Sequence, residues 1–257
     1  MRTAVSAATP RRRLRVDPSV IDARFLDMQG VPRQVPWLQA AAECELERCR
    51  PVRSFPVRPG RRIAPGWWWS ATDGHLVHYG FGAMRTQVML LDFDRSVTAL
   101  ACSPLELVWW GQGGRRVSHV PHLMARLRDG SAVLVDCAGR GGISRRLAGR
   151  ARVMEAAAAA AGWHYRIAGA PDPVLAANVR WLAGFRHPRH MAGVGSDAVA
   201  ACFDRPRPLV EAVQDLGDPL FAWPAVFHAL WTGVLRMALE RPLCERAVAQ
   251  LAEGGEQ

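Results

Sequence analysis

Two apolar runs, residues 117–127 and 132–137, flank Arg128-Asp129-Gly130-Ser131, and this constrains the fold more than any other feature. Asp-Gly between apolar runs is a strong hairpin signal, because glycine takes the positive φ of a tight turn without steric cost. The two runs are therefore expected to pair antiparallel. Upstream, Met84, Val88 and Leu91 recur at helical spacing over residues 83–91, and Asp92-Phe93-Asp94 ends that helix. Residues 97–102 and 105–110 read as two strands broken at Ser103-Pro104. Downstream, a glycine-rich bend (139–142) leads into a helix over 144–161. The alanine run at 156–161 favours that helix, and Gly162 stops it. Residues 164–168 form a further short strand. The order helix, strand pair, hairpin, helix, strand is an α/β arrangement with a mixed sheet.

The flanks read differently. Residues 1–15 hold Arg and Ala and no acid, which describes a disordered basic arm; no apolar run follows Arg11-Arg12-Arg13 to make it an export signal. Residues 16–66 form a Pro-rich segment with one short helix expected around 36–49 and extended chain over 50–65. Trp67-Trp68-Trp69 cannot share one face of a strand, so at least one should be buried and at least one should meet solvent or another layer. Residues 67–169 then make up the α/β domain. Ala170-Pro171-Asp172-Pro173 marks a boundary, and 170–257 reads as a helical module. Its helices are expected at 174–185, 211–216 and 224–239, with a break at His187-Pro188-Arg189-His190 and a short wing strand from 241. A small module of the winged-helix kind fits this half.

Charge narrows the partner. The net charge is +10, and all 33 basic residues are Arg. Lysine chemistry is excluded, and Arg stays protonated and cannot serve as a base. The positive excess points to nucleic acid. Arg115, Arg116, Arg145, Arg146, Arg150 and Arg152 are the candidate DNA contacts, with Arg140 in the bend as a further phosphate ligand. Cys44, Cys49, Cys102, Cys137, Cys202 and Cys244 have no zinc-site spacing and read as reduced, mostly buried thiols of a cytoplasmic protein. No stretch approaches a membrane span, so no membrane partner is expected.

The element order matches the core of restriction-endonuclease-like (PD-(D/E)xK) nucleases. Leu90-Leu91-Asp92-Phe93-Asp94, His119-Val120-Pro121-His122, and the run from Asp129 to Asp136 together resemble the nuclease domain of TnsA-like transposase endonuclease subunits. Asn178-Val179-Arg180-Trp181-Leu182-Ala183-Gly184 and His187-Pro188-Arg189 resemble the short actinobacterial members. The likeness covers residues 67–189, roughly half the chain. It implies an α/β restriction-endonuclease-like mixed sheet flanked by helices. It also implies one half of a heteromeric transposase, working beside an integrase-like subunit and an ATPase regulator.

In such nucleases, carboxylates on neighbouring strands hold Mg²⁺, which activates water, while a Lys assists the developing charge. The resemblance places the helix acids at Gly80 and Met84, the Pro-Asp at Pro121-His122, the second acid at Asp136 and the Lys at Ala138. Of these positions only Asp136 keeps its chemistry. His122 with Asp136 remains a candidate pair for a transition metal; Mg²⁺ is the cofactor if the chain cuts, and otherwise none is implied. Three functions are expected to compete: a DNA- and partner-binding transposition subunit with cleavage weak or lost, an active endonuclease with a rebuilt metal site, and a DNA-binding regulator using the C-terminal module.

Overall fold

The computed structural model describes residues 17–57, 64–139 and 141–252. The basic arm, Arg61-Arg62 and Arg140 lie outside the described residues. The chain opens with an antiparallel hairpin of β1 (Asp22–Leu26) and β2 (Pro32–Pro36), followed by a short helix, α1 (Trp37–Glu43). The helix expected over 36–49 is thus shorter, and residues 46–48 form a separate 3₁₀ turn. The Pro-rich pattern of this segment does not point to a hairpin. Its Ala23 and Phe25 alternate inward along β1, while Pro32 and Pro36 bracket β2, which is tolerated because β2 is an edge strand.

A second hairpin pairs β3 (Gly66–Trp69) with β4 (Leu76–Tyr79). Trp68 is buried and Trp67 is 63% exposed, as the alternation of a strand requires. Next come α2 (Gly82–Phe93), β5 (Val97–Cys102), β6 (Leu105–Trp110), β7 (Arg116–His119), β8 (Leu123–Leu127), β9 (Ala132–Cys137), α3 (Arg145–Ala160) and β10 (His164–Ala168). The fold is mixed α/β, with two four-stranded sheets. One has the order β2-β1-β6-β7 and is antiparallel throughout. The other has the order β5-β8-β9-β10, antiparallel except for the β9–β10 pair, which is parallel and crosses over through α3.

The expected hairpin forms over β8 and β9, with Gly130 at φ +83° in its turn. The single strand expected over 117–127 does not. It is split at Val120-Pro121-His122 into β7 and β8, which belong to different sheets. Pro121 has no N–H to offer a ladder, so the break falls there. The chain also changes sheet between β5 and β6, at Ser103, which takes φ +45° ahead of Pro104. The two crossings are joined: Ser103 N donates to the His122 carbonyl at 3.0 Å.

The β5-β8-β9-β10 sheet is covered on both faces. Ala132, Leu134 and Met124 face the first sheet, α1 and α3. There the Trp37 indole donates to the Ala157 carbonyl at 2.7 Å and meets the Trp163 ring edge-on. Val133, Val135, Leu123 and Ala125 face α2 through Met84, Val88 and Leu91. That second cluster continues past residues 170–173 into α4 (Pro173–Leu182), which Asp172 caps through the Val174 and Leu175 amides. Then follow α5 (Ser196–Cys202), β11 (Arg207–Pro208), α6 (Leu209–Leu216), α7 (Pro219–Thr232), β12 (Leu235–Met237) and β13 (Val248–Leu251). The last three strands form a sheet of order β11-β13-β12.

The helix expected at 224–239 runs instead over α7. Asp218 caps it with Pro219 in its first turn, and Gly233 at φ +74° ends it. Pro224 sits inside the helix rather than opening it. The wing strand expected from 241 is likewise absent from the described residues; the strands lie on either side, at β12 and β13. Among the described residues all six cysteines are free thiols, but only Cys102 and Cys137 are buried and Cys244 is exposed. No described helix is long and apolar enough to cross a membrane.

Asp92, at the last turn of α2, fastens the β3–β4 hairpin. Its buried carboxylate accepts from the Trp68 indole (2.8 Å), Ser70 Oγ (2.7 Å), the Ala71 and Thr72 amides (3.2 and 3.0 Å) and Thr72 Oγ1 (2.8 Å). Removing it leaves several buried donors without an acceptor. Asp92→Ala is expected to lower unfolding stability by about 3 kcal/mol in urea denaturation. A loss below about 1 kcal/mol, the net worth of one ordinary hydrogen bond, would show that the hub is not needed.

Candidate functional site

The site lies where β7, β8, β9 and β10 come together. Along β9 the side chains alternate, so Asp136 points to the same face as Ala132 and Leu134, toward the first sheet and α3. It is fully buried. Its Oδ2 accepts from His119 Nε2 at 2.6 Å and from the Tyr165 hydroxyl at 2.7 Å. His119 ends β7 and Tyr165 lies on β10, so one carboxylate oxygen takes a donor from each sheet.

His122, just before β8, reaches the other oxygen. Its Nδ1 accepts from the Cys137 amide at 3.0 Å and also stands 2.9 Å from Asp136 Oδ1. With its lone pair given to the amide, Nδ1 has no proton for the carboxylate. The short contact is therefore not a hydrogen bond, and Oδ1 takes none among the described residues. Burial pushes the Asp136 acid constant up, but the hydrogen bond and charge of His119 and the hydrogen bond from Tyr165 outweigh it and hold the group well below the usual carboxylate range. The same geometry pushes the Tyr165 hydroxyl up, first through burial and then through its bond to Asp136. Burial, with Asp136 adjacent, raises the Cys137 thiol to about 12, so it is no nucleophile.

A recess of about 310 Å³ opens beside this cluster, lined by His122, Ala138, Gly142, Ser144, Arg146 and Arg150 among others. Of the five positions that the resemblance assigns to a catalytic centre, the structure brings together His122, Asp136 and Ala138. It sets the other two back. Met84 is fully buried in the cluster on the opposite face of the sheet, its sulfur accepting from the Gly80 amide. Gly80 lies against the Phe55 ring, which a Cβ at that position would strike. The start of α2 reaches the site only through Phe81, whose ring meets His122 edge-on at 5.3 Å.

Arg146, exposed, and Arg150, half-buried, line the recess one turn apart on α3, whereas Arg145 and Arg152 lie exposed on another stripe of that helix. Arg115 and Arg116 are exposed at the start of β7, with Arg116 over the Trp110 ring at 5.8 Å. His119 and Tyr165 are site residues that the sequence barely marks. The His119-x-x-His122 spacing is the one local signal for the first; the second depends on the parallel β9–β10 register, which leaves no local pattern.

These residues do not suit Mg²⁺. The ion takes six oxygens in a near-octahedral shell. Here Asp136 Oδ2 is committed to two donors, Oδ1 faces an imidazole nitrogen whose lone pair is used, and among the described residues no second carboxylate joins them. Among the described residues no three His, Cys, Asp or Glu side chains form a metal-ligating group. Comparison with protein-family models finds no match, and comparison with curated proteins finds none.

The depressed Asp136 acid constant fixes a pH dependence. A carboxyl depressed in the folded state adds stability above its unfolded value of about 3.9, and loses it as pH falls toward the folded value. The stability gap between the unmodified chain and Asp136→Asn should therefore hold steady from about pH 6 to pH 5 and shrink below about pH 4. Urea unfolding across that range measures it, and a gap that widens on acidification would refute the assignment.

Proposed function

We propose that this chain is a TnsA-like subunit of a heteromeric DNA transposase. In this reading it binds DNA and two partner proteins, an integrase-like subunit and an ATPase regulator, and its own strand cleavage is weak or lost. The observation that carries the reading is the meeting of His122, Asp136 and Ala138 at the adjoining ends of β8 and β9. Those are the places where the resemblance puts two metal-binding acids and a Lys. The order α2, β5, β8, β9, α3, β10, with a parallel last pair, supports a restriction-endonuclease-like core. The order α5, β11, α6, α7, β12, β13, with strands arranged β11-β13-β12, supports a winged-helix module behind it.

The regulator reading has less support. In a winged helix the last helix before the wing is the one that would enter a DNA groove, as in other helix-turn-helix modules. Here that helix is α7, which carries no Arg, and eight of its residues are buried, Ala222 and 225–231. DNA contacts fall instead to the arginines of α3. These should supply affinity without sequence choice, through phosphate contacts that release counterions.

Two measurements test the proposal. The first is plasmid nicking with Mg²⁺ or Mn²⁺, with and without the integrase-like partner. The chain alone should not nick, and His122→Asp should not restore cleavage, since residues of a metal site act as a unit. Metal-dependent nicking by the unmodified chain that a folded Asp136→Asn variant loses would establish a rebuilt active site instead. The second is the salt dependence of duplex binding. Affinity should fall steeply with salt, and replacing Arg145, Arg146, Arg150 or Arg152 with Ala should each reduce the log–log slope by about one. A slope that no substitution changes would remove α3 from the interface.

A further inference from the structure

We propose that the recess beside Asp136 is an anion site that holds a DNA phosphodiester directly, through Arg150, Arg146 and His122, with no divalent ion. The inference rests on the reading above in taking DNA as the source of the phosphate.

The recess is lined by two guanidinium groups, and neither has an ion-pair partner among the described residues. Arg53 stands close enough to add a third positive charge: burial first, then Arg146 and Arg53, push the Arg150 acid constant down. Against these three cations stand two nearby acids, Asp136 and Glu106. Asp136 is already bonded to His119 and Tyr165, and Glu106 lies 3.9 Å from Arg24. The balance is positive, so the recess repels a divalent cation and attracts an anion.

Its walls suit a phosphate. Guanidinium pairs bind phosphate oxygens through charge-assisted, often bidentate hydrogen bonds. The Ser144 hydroxyl accepts from the Leu147 amide, which leaves its own proton to donate. Gly139 and Gly142 leave open space where a side chain would stand, so a backbone phosphate can come close. Nδ1 of His122 is held by the Cys137 amide, which fixes the ring in the lining of the recess and leaves the Nε2 proton to donate to the ligand. The positions that would hold a metal through carboxylates thus line a site of the opposite sign.

The test uses the full chain in chelator and follows the ring resonances of His122 by NMR. Inorganic phosphate is titrated first, then a short duplex lacking terminal phosphates, while anisotropy records total duplex binding. Saturable shifts of His122 with both probes are expected. Arg150→Ala should weaken the phosphate response at least about tenfold, the loss of one charge-assisted contact. Arg146→Ala gives the same readout if Arg150→Ala fails to fold. A response to inorganic phosphate but not to duplex overturns the DNA assignment, and a response that requires Mg²⁺ or Mn²⁺ overturns the metal-free site. Duplex binding by anisotropy with His122 unperturbed overturns this inference and leaves the transposition-subunit reading standing. Absence of duplex binding overturns that reading, while the phosphate response still reports on the recess.

Discussion

A single buried carboxylate ties the molecule together. Asp136 accepts from His119 on one sheet and from Tyr165 on the other, and those two sheets have no common hydrogen-bonded ladder. Burying a carboxylate is expensive unless donors replace its water. Two short, charge-assisted bonds do so here. The bond to His119 holds the end of β7 against β9, just ahead of the Pro121 break that leads to His122. The recess opens beside that contact, with His119 and His122 in its lining and the arginines of α3 across from them.

The same commitment explains why the site does not suit a metal. A ligand must give its lone pairs to the ion, and Asp136 has given one oxygen to structure. Its other oxygen faces His122 Nδ1 without a hydrogen bond among the described residues. An acid in place of His122 would set two carboxylates side by side in a buried pocket, and a cation would then be needed to hold them. With histidine there, the cluster is held by protons alone, and the cationic charge moves outward to Arg146 and Arg150.

Local signals were legible where local physics decides. The spacing of Met84, Val88 and Leu91 marked α2, Ser144 and Gly162 bracketed α3, and Asp129-Gly130 placed the β8–β9 turn within a residue. What escaped was set by partners far along the chain. Residues 117–127 look like one strand because both halves are apolar; only the tertiary pairing sends β7 to β6 and β8 to β5. β1 has an ordinary alternation, but β2 hides behind its prolines. At the site, His122 and Asp136 could be brought together from hairpin geometry and resemblance. Met84 could not be placed so, because a helical residue aligned by pattern still faces whichever side of the sheet the helix packs on, and here that is the far side.

The N-terminal hairpin has a long wait during synthesis. β1 finds its second neighbour only in β6, some 80 residues later, and the Trp37 indole bonds a carbonyl 120 residues downstream. Chains emerge from the ribosome N-terminus first. The apolar side chains of β1 and α1 therefore leave the tunnel well before any surface exists to cover them. The contact that buries Trp37 closes only after most of α3 has been made. Such distant pairing slows folding, because the entropy of closing the loop is lost before the contacts repay it. For this chain α1 is made more than a hundred residues ahead of the helix that covers its Trp37.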